Sequence, residues 1–304
     1  MKPEARAALG LDLSDRVGRV VVVDAKGRVL ARGEFVRGSS SLVREVREAI
    51  KRATTAAGGP ARVMGLAVPL PGDQGQPDVV AAMVELAPGA GLPAVIAAGP
   101  AAALAEHWCG AAVDARTVVA FSLGEHVTTG FLVNGEPWHG ASNLAGSIGW
   151  LAVNPVERED YRRLGGLESE VAAASIVRRL VWRVKSGDYS TLTDQTEGDA
   201  SRMSAADVLE EARKGDGVCI SVVRDTAKYS GMAVANLITM LDPEVVVLGG
   251  MIVSAGDILF EPIRSECARR VSPRPSDRLR ILLSPLGDDA VAIGAARAAL
   301  RQRA

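Results

Sequence analysis

The sequence predicts an α/β protein built twice over, with a cleft between its two halves. Three observations lead there. Residues 8–35 and 116–137 share one order, a strand followed by a hairpin, and each then gives way to helix–strand alternation. The 304 residues are 48% apolar but only 4% aromatic, with 32 glycines, so the core is built from Ala, Val and Leu and its helices pack closely. The length accommodates two domains of ordinary size. The expected division is 1–115 and 116–304, with the terminal helix, about 290–304, packing back on the first domain.

Taken in order, "ALGLDL" at 8–13 is the first strand, and 18–35 holds two apolar runs around a hairpin signal running from Asp24 to Gly27. A helix over 41–57 carries Leu42, Val43, Val46, Ile50 and Ala53 on one face and charged side chains on the other. A strand at 62–68 ends at "PLPG", and the Gly/Pro-rich stretch 73–92 yields no clear element. "PAVIAAGPAAALAEHW", 93–108, reads as a buried strand turning through Gly99-Pro100 into an alanine-rich helix. Pro100 suits the first helical position, where its missing N–H has no partner to lose. In the second half, 116–124 is a strand and "VTTGFLVNGEPWHGA" a hairpin turning at Asn134-Gly135. Helices dominate 166–240 apart from a polar stretch at 186–204, and 242–252 reads as a buried parallel strand ending in two glycines. A helix at about 257–271, a strand at 279–284 and a helix at 288–302 complete the chain.

A formal net charge of −1 leaves no electrostatic footprint for nucleic acid. Cys109, Cys219 and Cys267 are far apart with no CxxC spacing, as expected of free thiols in a reducing cytoplasm. The N-terminal basic residues precede no apolar run, and no stretch reaches the ~18 apolar residues of a membrane span. A cytoplasmic protein with no membrane partner is expected.

Four segments, "GLDLSDRVGRVVVVDAKGRVLA", "NGEPWHGASNLAGSIGW", "ANLITMLDPEVVVLGG" and "LGDDAVAIGAA", resemble the ROK family of bacterial sugar kinases and sugar-responsive repressors in order and spacing. The resemblance covers essentially the whole chain. It implies the duplicated actin-like ATPase (hexokinase) fold, with sugar and ATP in the interdomain cleft. The family's strand–helix turn carries Asn-Asp, the Asp being the general base that takes the proton of the attacking sugar hydroxyl. Counting back from Glu106 places that pair at Ala97 and Ala98. Loss of such a base typically costs 10²–10⁴-fold in rate, so no catalytic residue is expected here.

The phosphate loops depart in the same direction. The family's Asp-x-Gly-Gly-Thr falls on Asp12 to Arg16, where Ser14 and Asp15 replace glycines whose amides would approach phosphate. Its second glycine loop falls on Gly124 to Gly130, with Glu125, His126, Thr128 and Thr129 inside it. Asp12, Gly124, Gly130, Gly249 and Gly250 are the remnants expected to line a nucleotide site, and ATP binding is expected to be weak or absent. The family's sugar stretch, Gly-Glu-Ile-Gly-His, is Gly146 to Trp150 here, with Ser147 for Glu and Trp150 for the zinc-binding His. Its cysteine cluster aligns with Glu159 to Glu168 without a single Cys or His, so no zinc is expected. Gly72, Ser147, Trp150 and Glu168 are the candidate ligand contacts. Trp138 and Trp150 are read as packing residues, with a place at the cleft mouth as the alternative, and His107, His126 and His139 are read as structural.

The expected function is a catalytically degenerate, non-kinase, carbohydrate-sensing domain of the transcriptional-regulator type. Alternatives are a pseudokinase scaffold or a non-kinase enzyme using the same cleft. An active sugar kinase would need Asp73 or Glu106 as a displaced base. The expected partners are a sugar or sugar-derived ligand and, as the resemblance implies, a second copy in a homodimer. Seven residues ahead of the first strand leave no room for a winged helix-turn-helix, so direct DNA binding by this chain is not expected.

Overall fold

Valine-rich runs form two five-stranded sheets of the same design. The computed structural model describes residues 7–70, 75–272 and 279–303. The first half comprises β1 (Ala8–Asp12), β2 (Val17–Val23), β3 (Val29–Val36), α1 (Leu42–Ala56), β4 (Val63–Val68), α2 (Pro77–Leu86), β5 (Ala94–Ala97) and α3 (Ala98–Cys109). The second opens with β6 (Val118–Leu123), β7 (Val127–Val133) and β8 (Glu136–Pro137). Its helical stretch holds α4 (Glu159–Leu164), α5 (Glu168–Val171), α6 (Ala173–Lys185), α7 (Thr191–Gln195), α8 (Ala205–Lys214) and α9 (Gly217–Leu241). Then come β9 (Val245–Gly250), α10 (Met251–Ser254), α11 (Gly256–Ala268), β10 (Arg280–Leu283) and α12 (Ala290–Gln302).

The sheets run β3-β2-β1-β4-β5 and β8-β7-β6-β9-β10. In each, the hairpin side is antiparallel and the remaining strands join in parallel, so the second sheet repeats the first strand for strand. β1 and β4 are buried along their whole length, as parallel-sheet strands covered on both faces must be. Asn134 and Gly135 turn the β7–β8 hairpin at φ 56° and 77°, the left-handed pair that such a two-residue turn demands.

Two boundaries differ from the sequence expectation. α3 starts at Ala98, so Gly99 and Pro100 lie inside its first turn, where a missing N–H still leaves no helical bond unmade. The stretch without a clear element contains α2, which starts on Pro77 and buries Val79, Ala82 and Met83. Flanking glycines and a short length had masked its period.

The last helix of each half lies on the sheet of the other. α3 follows β5 but packs against β6 and β7, α12 follows β10 but packs against β1 and β4, and the two helices pack on each other. Such close approach needs residues without bulk. A Cβ on Gly130 would lie 2.0 Å from the Gly99 carbonyl oxygen, and one on Gly294 would lie 1.7 Å from that of Ala101. The alanine-rich composition thus serves a seam where backbone meets backbone. Ion pairs tie the halves further out, with Arg19–Asp288 at 2.8 Å and Arg32–Asp289 at 2.5 Å.

The three cysteines are free. Burial pushes the Cys219 thiol up to about 12 and those of Cys109 and Cys267 to about 11, which keeps them protonated and unreactive. Among the described residues, no helix is long and apolar enough to cross a membrane.

Candidate ligand-binding cleft

Between the sheets runs a cleft with two unlike ends. One end, where the family resemblance places nucleotide phosphates, is a cavity of about 70 Å³. Asp12, Asp15, Glu125, Gly124, Gly249 and Gly250 line it. Four amides in and beside its two turns are occupied. The Ser14 N–H donates to Asp12 Oδ1 at 2.7 Å, and the Arg16 N–H to Asp15 Oδ1 at 2.7 Å. The Gly124 N–H donates to the His126 carbonyl at 3.1 Å, and the Val127 N–H to Glu168 Oε2 at 2.8 Å. Carboxylates of this chain therefore sit where a phosphate would meet backbone donors. Arg37 of the first half closes over the turn by pairing with Glu125 at 2.5 Å.

Asp12 is 4% exposed, and burial raises its carboxyl to about 6 against the pull of Ser14. Glu106 is buried beneath the same cavity. It accepts from the Ser284 hydroxyl at 2.5 Å and from the Ala111 N–H at 2.8 Å, and burial raises its pKa. That engagement holds it away from the sugar end of the cleft, whose lining does not include it. Gly250 has φ 61°, and a Cβ there would lie 2.2 Å from the Leu123 carbonyl oxygen, so packing alone accounts for it.

The other end is open, a cavity of about 310 Å³, within the size range of small-molecule sites. Ala97 and Gly99 of the β5–α3 junction, Ser147, Trp150, Arg163 and Glu168 are among its walls. Glu168 begins α5 and accepts from His126 Nδ1 at 2.8 Å as well as from Val127. The bond to Glu168 raises the His126 pKa above its ordinary value. Trp150 stands 62% exposed at the rim, an aromatic face free to stack on a ring.

Ser147, Trp150 and Glu168 are thus brought into one pocket, and Asp12, Gly124, Gly249 and Gly250 to the other end. Gly130 joins neither. It lies on β7 against Gly99, and its missing side chain serves the helix seam. Ala98 is wholly buried at the start of α3. Gly72 and Asp73 lie outside the described residues. Trp138 leans on Phe131 with ring centroids 6.0 Å apart and is not part of the pocket wall. His126, read as structural from the sequence, is the residue that reasoning missed. Its only signal was its place inside a glycine loop, since its partner lies 42 positions further on.

The segment aligned with the family's zinc cluster offers Trp150, Glu159, Tyr161 and Gly166 at the ligand positions, a set poorly suited to a soft tetrahedral site. Among the described residues, no group of three His, Cys, Asp or Glu is placed to hold a metal ion. A polar cluster occupies the neighbourhood instead. Buried Glu170 accepts from the Tyr161 hydroxyl and from Arg179, with Arg158 at 3.5 Å. Asn154 reaches the hydroxyls of Tyr161 and Tyr229 at 3.3 and 3.4 Å. Burial and Glu170 push the Tyr161 hydroxyl up to about 12. These bonds join α4, α5, α6 and α9, and so brace the segment that carries Glu168.

Two mirrored sheets, exchanged helices and a cleft with a phosphate-side turn and a sugar-side pocket define a protein of the sugar-kinase architecture. The ROK family model matches residues 90–302, and the chain belongs to the ROK family. It is 34% identical over 195 residues to a glucokinase of Halalkalibacterium halodurans, a match covering 64% of this chain and 59% of that protein. It is also 26% identical over 200 residues to the xylose repressor of Caldicellulosiruptor bescii, covering 64% of this chain and 48% of the repressor. The chain therefore spans about half to three fifths of these relatives' length. Among solved structures, a ROK family glucokinase from Streptomyces griseus in complex with glucose and AMPPNP superposes with a TM-score of 0.80 at 22% identity, covering 97% of this chain and 99% of that one. Kinases and repressors thus both stand among its relatives.

Proposed function

We propose that this chain is a carbohydrate-sensing ROK protein that binds a sugar or sugar derivative in the 310 Å³ pocket and transfers no phosphoryl group. One observation carries the reading. The amides of Ser14, Arg16 and Gly124 are taken by the chain's own oxygens in the turns that would cradle nucleotide phosphates. Phosphoryl transfer depends on positioning and charge stabilisation by such donors. The junction at Ala97 and Ala98 adds no group able to accept a proton. Neither zinc nor ATP is part of the proposed working state. The pocket's hydroxyls, its carboxylate and the exposed face of Trp150 suit a polyol ring.

The test is a thermal-shift screen against monosaccharides, amino sugars and sugar phosphates without ATP, run beside an ADP-release assay on the same panel. A native-state ligand at a hundredfold excess over its Kd adds about 2.7 kcal/mol of stability. A clear shift with a sugar, and no sugar-dependent ADP release, is the expected result. Sugar-dependent turnover of ATP would overturn it. Flat curves across the panel would favour the scaffold reading instead.

A further inference from the structure

We infer that the second half carries a second small-molecule site, outside the cleft, for a ring-bearing organic anion. Its phosphate or carboxylate lies between arginines of α6, and its ring lies on Trp182. The site is a cavity of about 480 Å³, larger than either end of the cleft and sharing no wall residue with them. That volume is ordinary for a small-molecule site. Its walls come from residues 158–183 and from Asp225 and Tyr229 of α9.

The sequence builds most of it along one helix. Ser175, Arg178, Arg179, Trp182 and Arg183 recur on α6 at the i, i+3, i+4, i+7 and i+8 spacing of a single face, and all five line the cavity. Ile176 and Leu180 hold the other side of the helix in the core.

The floor is fixed without a ligand. Arg179 pairs with buried Glu170, donates to the Glu170 carbonyl at 2.7 Å and lies 5.6 Å from the centre of the Tyr229 ring. Arg158 stands 3.5 Å from the same carboxylate and 5.5 Å from the centre of the Tyr161 ring. Guanidinium groups held in this way lose little freedom when a ligand arrives.

The donors above that floor are only partly used. Arg178 spends Nη2 on the Ser169 carbonyl and the Ser175 hydroxyl, at 3.0 and 3.2 Å, and its Nε stands 3.4 Å from Asp160. Its Nη1 has no hydrogen-bond partner among the described residues. Arg183 spends Nε on Asp188 at 2.8 Å and Nη1 on Ser221, which leaves Nη2 in the same condition. Both side chains are about a third exposed, so a ligand can reach them. A planar guanidinium fork matches the oxygens of a phosphate or carboxylate.

The remaining wall defines the rest of the ligand. Trp182 is 68% exposed and offers an aromatic face for a ring. Asp160 is already paired with Arg163 and Arg178, at 3.4 Å each. Asp225 has neither an ion pair nor a hydrogen bond among the described residues, so its carboxylate is open to a hydroxyl or amino group. Acid group, ring and hydrogen-bond donor together describe a hydroxylated aromatic acid or a nucleoside monophosphate.

The test is titration calorimetry on the full chain with two matched pairs, 4-hydroxybenzoate beside 4-hydroxybenzamide and AMP beside adenosine. Inorganic phosphate alone serves as the reference. At least one anion is expected to bind tenfold or more tightly than its neutral parent, and whether the carboxylate or the phosphate leads identifies the acid group. Arg178→Gln combined with Arg183→Gln should weaken that anion tenfold or more. Trp182→Ala alters an exposed side chain, so the fold should tolerate it, and it should weaken the ring anion more than inorganic phosphate. Equal affinity for anions and neutral parents would overturn the inference, and so would no binding by either anion. An anion whose affinity survives the double arginine substitution at a wild-type Tm, or survives Trp182→Ala, would overturn it too, because its site would lie elsewhere.

Discussion

The two ends of the cleft are built from equivalent junctions of a duplicated fold, yet one is sealed and the other open. At the sealed end, three backbone amides bond to oxygens of the same chain, and Arg37 bridges to Glu125 across the gap. At the open end, a helix starts without a side-chain cap and 310 Å³ of space remains. A site loses a ligand when the protein satisfies its own donors, and stays receptive where they are left unmet. Gly250, retained at the sealed end, needs no ligand to explain it, because the Leu123 backbone claims its space.

The largest expected effect tests where the binding surface stops. Gly130→Ala places a methyl 2.0 Å from the Gly99 carbonyl oxygen and should destabilise by about 3 kcal/mol. A Tm close to wild type would return Gly130 to the phosphate loop. Next comes Asp12, at the sealed end. Its folded pKa, about 6, lies above the ordinary aspartate value of 3.8, so the native state binds the proton more tightly. Its contribution to stability is complete below about pH 4 and is lost as pH rises through 6. Asp12→Asn should therefore gain on the wild type between pH 4 and pH 7, by on the order of 2 kcal/mol. Denaturant melts at the two pH values measure this, and a pH-independent difference would contradict the burial argument.

At the open end, Glu168→Gln keeps the shape but removes the charge that holds His126. Sugar affinity should fall roughly tenfold, about 1.4 kcal/mol, while stability changes little. Unchanged affinity by calorimetry would take Glu168 out of the site. The smallest effect belongs to the bridge across the sealed end. Arg37 and Glu125 are both partly exposed, so Arg37→Ala should cost under about 1 kcal/mol and less in high salt. If that one change let the chain bind ATP, the ion pair rather than the occupied amides would be the barrier, and the contrast between the ends would narrow to a single side chain.

Much of the fold was legible because its signals are local. Turn residues at Asn134-Gly135 and the valine runs of β2 and β9 announce themselves over a few positions. The family resemblance singled out Ser147, Trp150 and Glu168, and all three line one pocket. What the sequence hid depends on partners far along the chain. α2 is too short to show its period, and the His126–Glu168 pair spans 42 positions. The Tyr161–Glu170–Arg179 cluster could not be foreseen from a cysteine motif that lacked its cysteines, because its bonds exist only once α4, α5 and α6 meet. Trp138 packs on Phe131 of the neighbouring strand, in line with the packing reading.

The exchanged helices carry one more consequence. Side chains between packed elements usually act as a compliant layer that absorbs small displacements by changing rotamer. At Gly99–Gly130 and Ala101–Gly294 that layer is absent, and main chain bears directly on main chain. α3 and α12 therefore work like meshed gears without backlash. A shift of a few tenths of an ångström at the start of α3 has nowhere to dissipate along this seam. It passes to α12, whose end holds Glu136 through Arg301 and the Arg62 carbonyl through Arg303, so it is felt at the edge strand β8 of one sheet and at the start of β4 in the other.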